Sequence, residues 1–406
     1  MRLRTDPKQS KEIFPYLSIE VREGQFRQAK PSLFYYEAVM SKIRFVIVGS
    51  GWRSLYYVRI AKALPELFSL EALLCRTKEK ADRLAAEWGI HTTLSAEECA
   101  KLNPDFVVIA VDKNSLATVS MEWMTRGFTV LQETPAAMDL ETLNALWNAH
   151  QQGAKLVIAE QYTRYASYAA MLKLAESGLI GERDYLYLSA AHEYHGASLM
   201  RAFLGVSPDV PFSVSAQGFE FPVTETLSRY QRYTNGEMND SNRTVALFRW
   251  ENGKTALYDF DSEQYRSPIR NNQIRLQGRK GELSDRAIDY LDGDYHPIHL
   301  DIHTQTRTVK TTEENPNFST YPEITEISVG SETLYQPPFD LAGLSEDETA
   351  IAELMCGTAA YVRDEGESPY PLRDALQDAY MAILLRVALK SGTCEKSEPQ
   401  VWQYSN

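Results

Sequence analysis

The sequence predicts two domains of different fold class, an N-terminal α/β domain with a parallel sheet and a C-terminal α+β domain with a mixed, largely antiparallel open sheet. Short apolar strands alternate with helices between Ile43 and Ala159. After Tyr162, longer alternating strands follow one another with few helices between them. The chain of 406 residues is also long for one hydrophobic core, since domains usually have roughly 100–200 residues.

The first domain is predicted from strong local signals. Its strands are short apolar runs, and the run 106–111 is continuous, as expected of a strand covered on both faces. One helix stops at Pro65 and another is closed by Gly89. The expected strands are 43–48, 70–74, 106–111, 129–131 and 156–159, and the expected helices are 55–64, 78–88 and 140–150.

The second domain is predicted from strands that alternate apolar and polar residues. A helix at 168–176 leads into it, and a long helix at 372–390 ends near Gly392. We expect an extension over 1–39, a first domain over 40–162 and a second domain over 163–406. The expected strands are 185–189, 244–250, 255–260 and 273–277, and an apolar helical stretch covers 199–204.

Residues 1–39 mix charges, aromatic residues and prolines without a sustained period, which favours a loosely ordered extension. Met40 stands directly before the first strand. Two interpretations stay open at this point. The extension is a dispensable leader with Met40 as the native start, or it forms an oligomer contact or a lid.

Composition limits the classes of partner. The net charge of −13 argues against nucleic acid, which is bound chiefly through clustered Lys and Arg. No apolar run approaches the roughly 20 residues of a membrane helix, and no signal peptide is evident. The four cysteines form no CxxC pair. We therefore expect a soluble cytoplasmic protein that acts on a small molecule and binds neither nucleic acid nor membrane.

A glycine turn follows the first strand directly and precedes a helix. It reads Gly49-Ser50-Gly51-Trp52-Arg53-Ser54. In the dinucleotide-binding fingerprint the first glycine makes the turn, the second lets the backbone approach the pyrophosphate, and the third small residue allows close helix packing. The position in the βαβ unit favours a Rossmann domain over an ordinary glycine turn. Gly49, Ser50, Gly51, Trp52 and Arg53 are the predicted contacts.

The end of the second strand indicates which nicotinamide cofactor is bound. NAD enzymes usually place an Asp or Glu there, whereas this chain has Cys75-Arg76-Thr77. A guanidinium and a hydroxyl without a carboxylate suit a 2′-phosphate, so Arg76 and Thr77 favour NADP, with NAD possible. The other interpretation is a solvated basic helix start. Val111, the last residue of the run 106–111, is also predicted to contact the cofactor.

Several motifs together resemble the Gfo/Idh/MocA family of oxidoreductases, over roughly residues 42–392. They lie in the order that the family shows, and the resemblance implies a Rossmann domain followed by a mixed-sheet substrate domain. The motifs are the turn at Gly49, Gln132-Glu133-Thr134-Pro135, Tyr162-Thr163-Arg164, Gly178-Leu179-Ile180-Gly181, the segment 274–281 and the segment 371–376.

The departures from this family concern chemistry. The family usually has Glu-Lys-Pro where this chain has Glu133-Thr134-Pro135, so a hydroxyl replaces the charge that contacts nicotinamide and substrate. The family also pairs an Asp with a His four residues later, and these positions fall on Ala191 and His195. We expect Glu133 and Pro135 to border the nicotinamide and Thr134 to position the substrate.

His195 is the predicted proton-transfer residue, because an imidazole titrates near neutrality. Glu193, His192 or Tyr194 could orient it, and the alternative is a structural histidine at a helix start. Tyr162, Arg164, Tyr194 and Arg266 are the predicted substrate contacts, although a solvated surface explains the loop arginine Arg266 equally well. The cluster His299, Asp301 and His303 matches no compact zinc motif, so no metal site is predicted.

These observations predict hydride transfer between NADP, or NAD, and a carbonyl or hydroxyl carbon of a sugar-like or other small polar substrate. Two other functions stay open. Thr134 and Ala191 suggest a nucleotide-binding sensor or partner subunit without redox turnover. The family resemblance also implies an enzyme whose bound NAD is regenerated within each cycle, as in some glycosidase relatives. Large residues on both faces of the strand 246–250 predict a homodimer or homotetramer.

Overall fold

The computed structural model describes residues 41–228, 230–310, 320–339 and 343–403. The predicted extension over 1–39 lies outside these residues. The described chain divides into two compact units. The first comprises residues 41–133, 149–159 and 351–372, and the second comprises 134–148, 160–350 and 373–403.

The first unit contains a six-stranded parallel sheet in the order β3-β2-β1-β4-β5-β6. The first strand pairs in parallel with both β2 and β4, so the strand order reverses at β1. The side chains of β1 and of β4 are almost completely buried, as the continuous apolar runs predicted. The strands are β1 (Ile43–Val48), β2 (Phe68–Leu74), β3 (Thr92–Thr93), β4 (Phe106–Ile109), β5 (Val130–Gln132) and β6 (Leu156–Ile158).

One helix of the first unit begins and ends where local capping chemistry predicts. The helix after β2 begins directly after Thr77, whose hydroxyl accepts a hydrogen bond from Lys80 N. It ends at Gly89, which has a left-handed backbone conformation with φ of 60°. The described helices are α1 (Ser54–Ala63), α2 (Lys78–Trp88), α3 (Ala96–Lys101), α4 (Leu116–Thr125), α5 (Leu140–Gln151), α6 (Ala166–Glu176), α7 (Glu193–Leu204), α8 (Glu346–Val362) and α9 (Leu372–Ser391).

The second unit is built on an eleven-stranded sheet in the order β16-β15-β14-β13-β12-β11-β7-β10-β9-β8-β17. Only the described pair β7 and β10 is parallel; the other described pairs are antiparallel. The strands are β7 (Arg183–Ser189), β8 (Phe212–Thr224), β9 (Met238–Trp250), β10 (Thr255–Asp261), β11 (Gln273–Gly278), β12 (Gly281–Ser284), β13 (Ala287–Leu291), β14 (Pro297–Lys310), β15 (Thr320–Val329), β16 (Glu332–Tyr335) and β17 (Glu395–Lys396).

The predicted fold class is therefore confirmed, and the second domain contains strands beyond those predicted. The polar segment around His299, for which no strand was predicted, lies in β14, which pairs with β13 and β15. Most side chains of β14 are exposed, so the apolar alternation that marks a half-buried strand is weak there. Similarly, β9 begins at Met238, before the expected start at Thr244, because its first residues are polar and exposed.

Within the described ranges, no helix combines the length and the apolar character that crossing a membrane requires. The longest described helix, α9, carries several charged residues along its 20 residues.

Candidate active site

The turn after β1 accepts only glycine at its first position. Gly49 has φ of +120°, and a Cβ built there would lie 2.2 Å from the carbonyl oxygen of Ala110. The same Cβ would lie 3.2 Å from the amide nitrogen of Val111, which places Val111 beside the turn. At Gly51, by contrast, a Cβ would meet no atom within 4 Å. The backbone is thus tightly packed at the first glycine and open at the second, as a pyrophosphate-binding turn requires.

The start of α1 also suits a phosphate. Ser54, the third small residue of the turn, is the first residue of the helix and is fully buried. Its Oγ has no hydrogen-bond partner within the ranges that the structure describes. The first turn of α1 itself carries no acidic side chain, and a helix N-terminus favours an anion. These features fit the pyrophosphate of a dinucleotide.

Two predicted cofactor residues are bound to each other. Arg53 Nε lies 2.7 Å from Glu133 Oε1, and the hydroxyl of Tyr57 donates to the same oxygen at 2.7 Å. Both members of the ion pair are largely buried, with side-chain exposures of 14% and 8%. The Arg53 guanidinium also lies 4.7 Å from the ring of Tyr56 and 5.9 Å from that of Trp52. The ion pair ties the glycine turn to the residue after β5, a link that the sequence did not reveal.

The residues after β2 divide into structural and exposed positions. Cys75 is buried, and burial raises the pKa of its thiol. The Thr77 hydroxyl caps α2. Arg76 is exposed and forms no ion pair with any residue that the structure describes. A guanidinium therefore stands in solvent where NAD enzymes usually place a carboxylate.

In the second unit, a buried carboxylate holds His195. The histidine lies in the first turn of α7, and its Nδ1 is 2.6 Å from Oε2 of Glu160. The side-chain exposures are 7% and 3%. The other Glu160 oxygen accepts a hydrogen bond from Tyr162 N at 3.2 Å. An ionised carboxylate only accepts hydrogen bonds, so Nδ1–H of His195 donates to Glu160.

Glu160 was missed by the sequence analysis, and two of the residues proposed to orient His195 have other partners. Glu193 forms an ion pair with Arg386, with 2.7 Å between Oε2 and NH1. Glu193 and His195 are two positions apart on α7, and such residues do not share a helix face. The backbone N–H of His192 donates to the Tyr265 hydroxyl oxygen at 3.0 Å. The available signal for Glu160 was a carboxyl residue directly after the last apolar strand of the first domain.

Aromatic rings surround His195. The ring of Tyr162 stacks on the imidazole with 4.2 Å between centroids, and Tyr194 lies at 4.5 Å. Tyr165 stacks on the ring of Tyr162, with 4.6 Å between centroids. Burial raises the pKa of Tyr162 well above its usual value. The predicted contacts Tyr162, Tyr194 and His195 are therefore brought together.

The other predicted substrate residues are placed less centrally. Thr134 and Arg164 are half-buried, and Pro135 is buried. Arg266 is half-buried, and its guanidinium lies 6.0 Å from the ring of Tyr265, so it joins the aromatic group. Ala191, at the position of the family's aspartate, is fully buried. No carboxylate therefore stands at position 191, and Glu160 supplies one to His195 from a different segment.

In the histidine cluster on β14, His299 is paired with carboxylates. His299 lies between two exposed carboxylates, with Nδ1 2.7 Å from Asp289 and Nε2 3.4 Å from Asp301. The Asp289 hydrogen bond raises the pKa of His299. Among the residues with described positions, no three His, Cys, Asp or Glu side chains are arranged to hold a metal ion.

Comparison with known proteins supports the assignment of the first domain. Residues 43–161 match the family model described as "Oxidoreductase family, NAD-binding Rossmann fold". This segment is of Gfo/Idh/MocA type, so the resemblance predicted from the motifs is confirmed over residues 43–161. No curated protein matches the chain.

Solved structures share the fold across most of the chain. An oxidoreductase from Agrobacterium radiobacter in complex with NAD⁺, L-tartaric acid and magnesium is 16% identical, with a TM-score of 0.59 over 87% of this chain and 98% of its own. A putative myo-inositol dehydrogenase from Sinorhizobium meliloti is 16% identical, with a TM-score of 0.57 over 87% of this chain and 99% of its own. A putative NADPH-dependent oxidoreductase from Desulfitobacterium hafniense is 14% identical, with a TM-score of 0.59 over 88% of this chain and 98% of its own.

Proposed function

We propose that the chain is an NADP-dependent, or NAD-dependent, oxidoreductase that moves hydride to or from a carbonyl or hydroxyl carbon of a sugar-like or other small polar substrate. The observation that carries this proposal is the buried pair of Glu160 and His195. A paired carboxylate and imidazole form an acid/base unit, and the first unit carries a dinucleotide-binding fold.

His195 is the proposed acid/base. In the oxidative direction its Nε2 takes the proton of the substrate hydroxyl as the C–H bond of the same carbon breaks and the C=O bond forms. The imidazolium that results is stabilised by the Glu160 carboxylate at 2.6 Å. A charge-assisted hydrogen bond of this kind contributes roughly 1.5–3 kcal/mol. In the reductive direction the same nitrogen returns the proton to the oxygen.

The cofactor would be held mainly by the turn at Gly49 and Gly51 and by the start of α1. When bound, it supplies or accepts the hydride at its nicotinamide ring. We propose that Arg76 receives the 2′-phosphate and that Glu133 and Pro135 border the nicotinamide. Arg53 has a positioning role, because it holds the Glu133 carboxylate at 2.7 Å.

The substrate contacts are proposed from residue chemistry. Tyr162 and Tyr194 offer hydroxyls and flat ring faces beside His195, which suits a ring-shaped polyol. Arg164 and Arg266 add positive charge suited to a carboxylate. Similar structures are those of a putative myo-inositol dehydrogenase and of an oxidoreductase in complex with L-tartaric acid; myo-inositol is a polyol and L-tartaric acid is a hydroxy acid. Both classes carry a secondary hydroxyl.

The experiment that tests the proposal is turnover followed at the nicotinamide absorbance. Sugars, inositols and hydroxy acids are offered with NADP or NAD. Keto acids are offered with NADPH or NADH. We expect turnover that depends on one class of substrate. Complete absence of turnover, with nucleotide still bound, would favour the sensor or partner subunit that Thr134 and Ala191 suggested. Cofactor retained through purification would favour an internally recycled NAD.

The Arg76→Asp variant should change cofactor preference toward NAD by roughly one to two decades in relative affinity, because it removes one charge-assisted phosphate contact. Binding of NADP and NAD is measured by titration. Arg83→Asp, an exposed residue on α2, is the matched control for the same change in charge. Tighter binding of NAD than of NADP by the unmodified chain would contradict the assignment.

The Thr134→Val variant should act mainly through substrate binding, because it removes one neutral hydrogen bond worth roughly 0.5–1.5 kcal/mol. We expect KM to rise about tenfold or less with kcat little changed. Thr134→Lys is the informative partner variant, since it restores the family's charge and is expected to raise kcat. A loss of kcat in Thr134→Val as large as that in a His195 variant would contradict this limited role.

We also propose that the chain forms a homodimer or homotetramer. Leu247, Leu257 and Tyr187 are register neighbours across β9, β10 and β7, on the sheet face opposite the buried residues Phe248 and Tyr258. A sheet with apolar residues on both faces is stable when both faces are shielded from water. Light scattering should show an oligomer, and Leu247→Asp should weaken it. A monomer near 46.1 kDa at micromolar concentration would contradict the proposal.

A further inference from the structure

The helix that carries His195 begins with a strained residue. Glu193, the first residue of α7, has φ of 35°, in the left-handed region that favours glycine. A side chain in this conformation persists where the surrounding structure fixes it, and such residues cluster at functional sites. His195 follows two positions later, in the same helical turn. The placement of its imidazole therefore depends on the contacts that hold Glu193.

The sheet holds the backbone of this turn. Tyr258 lies on β10 and is buried, and its hydroxyl oxygen accepts a hydrogen bond from Glu193 N at 3.0 Å. One residue after His195, a Cβ built at Gly196 would lie 2.7 Å from a ring carbon of Tyr258. Glycine at position 196 therefore lets α7 approach this ring closely. Residues before and after His195 thus lie against the same tyrosine.

The helix α9 holds the side chain of Glu193. Oε2 of Glu193 lies 2.7 Å from NH1 of Arg386, and the two side chains are 32% and 29% exposed. At the other end of α7, Arg201 is paired with Asp374 and Asp378 of α9, with 3.0 Å between its NH1 and Oδ1 of Asp378. Arg201 and Asp378 are buried. Residue numbers rise along α7 as they fall along α9, so the two helices are antiparallel and are joined near both ends.

We propose that Arg386 is a positioning residue for His195, on which it acts through its ion pair with Glu193. This inference rests on the proposed oxidoreductase function, in which His195 exchanges the substrate proton. Glycine at position 193 would remove the strain but has no carboxylate for Arg386. The ion pair therefore explains why a glutamate occupies this position. It holds the first turn of α7 so that Nδ1 of His195 stays 2.6 Å from Oε2 of Glu160.

The two ends of α7 differ in what they contribute to stability. A partly exposed ion pair usually contributes little to the free energy of unfolding. The buried pair of Arg201 and Asp378 still joins α7 to α9 when Arg386 is replaced. Arg386→Ala and Glu193→Gly are therefore expected to keep the melting temperature of the unmodified chain, and glycine also relieves the strain at position 193.

The placement of His195 is tested without any substrate by ¹⁵N-edited proton NMR of the full chain labelled at histidine. The chain has seven histidines, and His195→Gln identifies the signal of the His195 Nδ1–H. In the unmodified chain we expect this signal to be protected from exchange with solvent, because the Nδ1–H donates to the buried Glu160. Arg386→Ala and Glu193→Gly should broaden the signal or remove it by exchange.

The kinetic test uses the substrate that the panel identifies. Arg386→Ala and Glu193→Gly should each lower kcat by roughly 10–10²-fold, since a misplacement of about 1 Å can cost about 10²-fold. Their affinity for the nucleotide should be unchanged, because the glycine turn lies in the first unit. Arg279→Ala, which removes ion pairs with Glu182 and Asp184 elsewhere in the second unit, is the matched control and should keep kcat.

Two further variants show whether the charge pair is the cause. Arg386→Lys should restore most of kcat and the protected NMR signal, because an ammonium group can also pair with Glu193. The double variant Glu193→Arg with Arg386→Glu should exceed both of its single variants in kcat, since it rebuilds the pair with reversed charges. A double variant no more active than either single variant would overturn the role of the ion pair.

Wild-type kcat and an unchanged His195 signal in Arg386→Ala would overturn the proposal, as would a fall in melting temperature large enough to account for the lost activity. Absence of turnover across the whole panel would overturn the proposed function. In that case a His195 signal that changes in Arg386→Ala still supports the placement of His195 by Arg386, and an unchanged signal overturns it. The two failures are therefore distinguishable.

Discussion

The His195→Ala variant is expected to lower kcat by roughly 10²–10⁴-fold, the usual contribution of general acid–base catalysis. The substrate proton then has no acceptor at this position, and the buried Glu160 loses its partner. Cofactor affinity should be unchanged, because His195 lies in the second unit and the glycine turn in the first. Steady-state kinetics and a separate nucleotide titration measure the two quantities.

Glu160→Gln separates positioning from general acid–base chemistry. The amide keeps an acceptor for Nδ1–H but loses the charge that stabilises the imidazolium, so kcat should fall by about 5–30-fold, the difference between a charged and a neutral hydrogen bond. Oxidation requires neutral His195, so the acid limb of its pH–rate profile should move to lower pH.

Turnover of His195→Ala at the wild-type rate would contradict the assignment and make Tyr194 or Tyr162 the next candidate.

The Gly49→Ala and Gly51→Ala variants are expected to fail in different ways. At Gly49 a Cβ meets the Ala110 carbonyl oxygen at 2.2 Å, and φ is +120°. We expect a loss of roughly 3 kcal/mol or more in the free energy of unfolding, from strain and displacement of the neighbouring strand. At Gly51 a Cβ meets no atom within 4 Å. That variant should keep its stability and lose affinity for the dinucleotide.

Thermal unfolding without nucleotide, and titration with it, give the two readouts. Each variant is the control for the other, because both add one methyl group to the same turn. Equal stability of Gly49→Ala and the unmodified chain would contradict the close approach to Ala110. Unchanged nucleotide affinity in Gly51→Ala would show that the pyrophosphate does not lie over the turn.

The elements of the first unit could be predicted closely because their signals are local. The helix α2 was expected over 78–88, and it begins and ends there, since Thr77 and Gly89 cap it. Strands β1 and β4 are apolar runs whose side chains are buried. By contrast, β14 was not predicted as a strand, because a strand with mostly exposed side chains has no apolar period to detect.

The positions of the candidate site residues could be predicted, but their partners could not. His195 was singled out by its residue type and family position, whereas its partner Glu160 lies 35 residues earlier in the chain. The ion pair between Arg53 and Glu133 spans 80 residues. Such contacts depend on how strands and helices are arranged in space, and a sequence pattern with a period of two or 3.6 carries no information about them.

The central claim is that hydride passes between a nicotinamide cofactor and a substrate carbon in this chain. The most direct measurement uses NADPH deuterated at the transferred position of C4, with the carbonyl substrate that the panel identifies, and analyses the product by mass spectrometry and NMR. We expect one deuterium on the carbinol carbon for each cofactor oxidised, and a hydroxyl proton taken from solvent. A product that carries no deuterium at that carbon would contradict it.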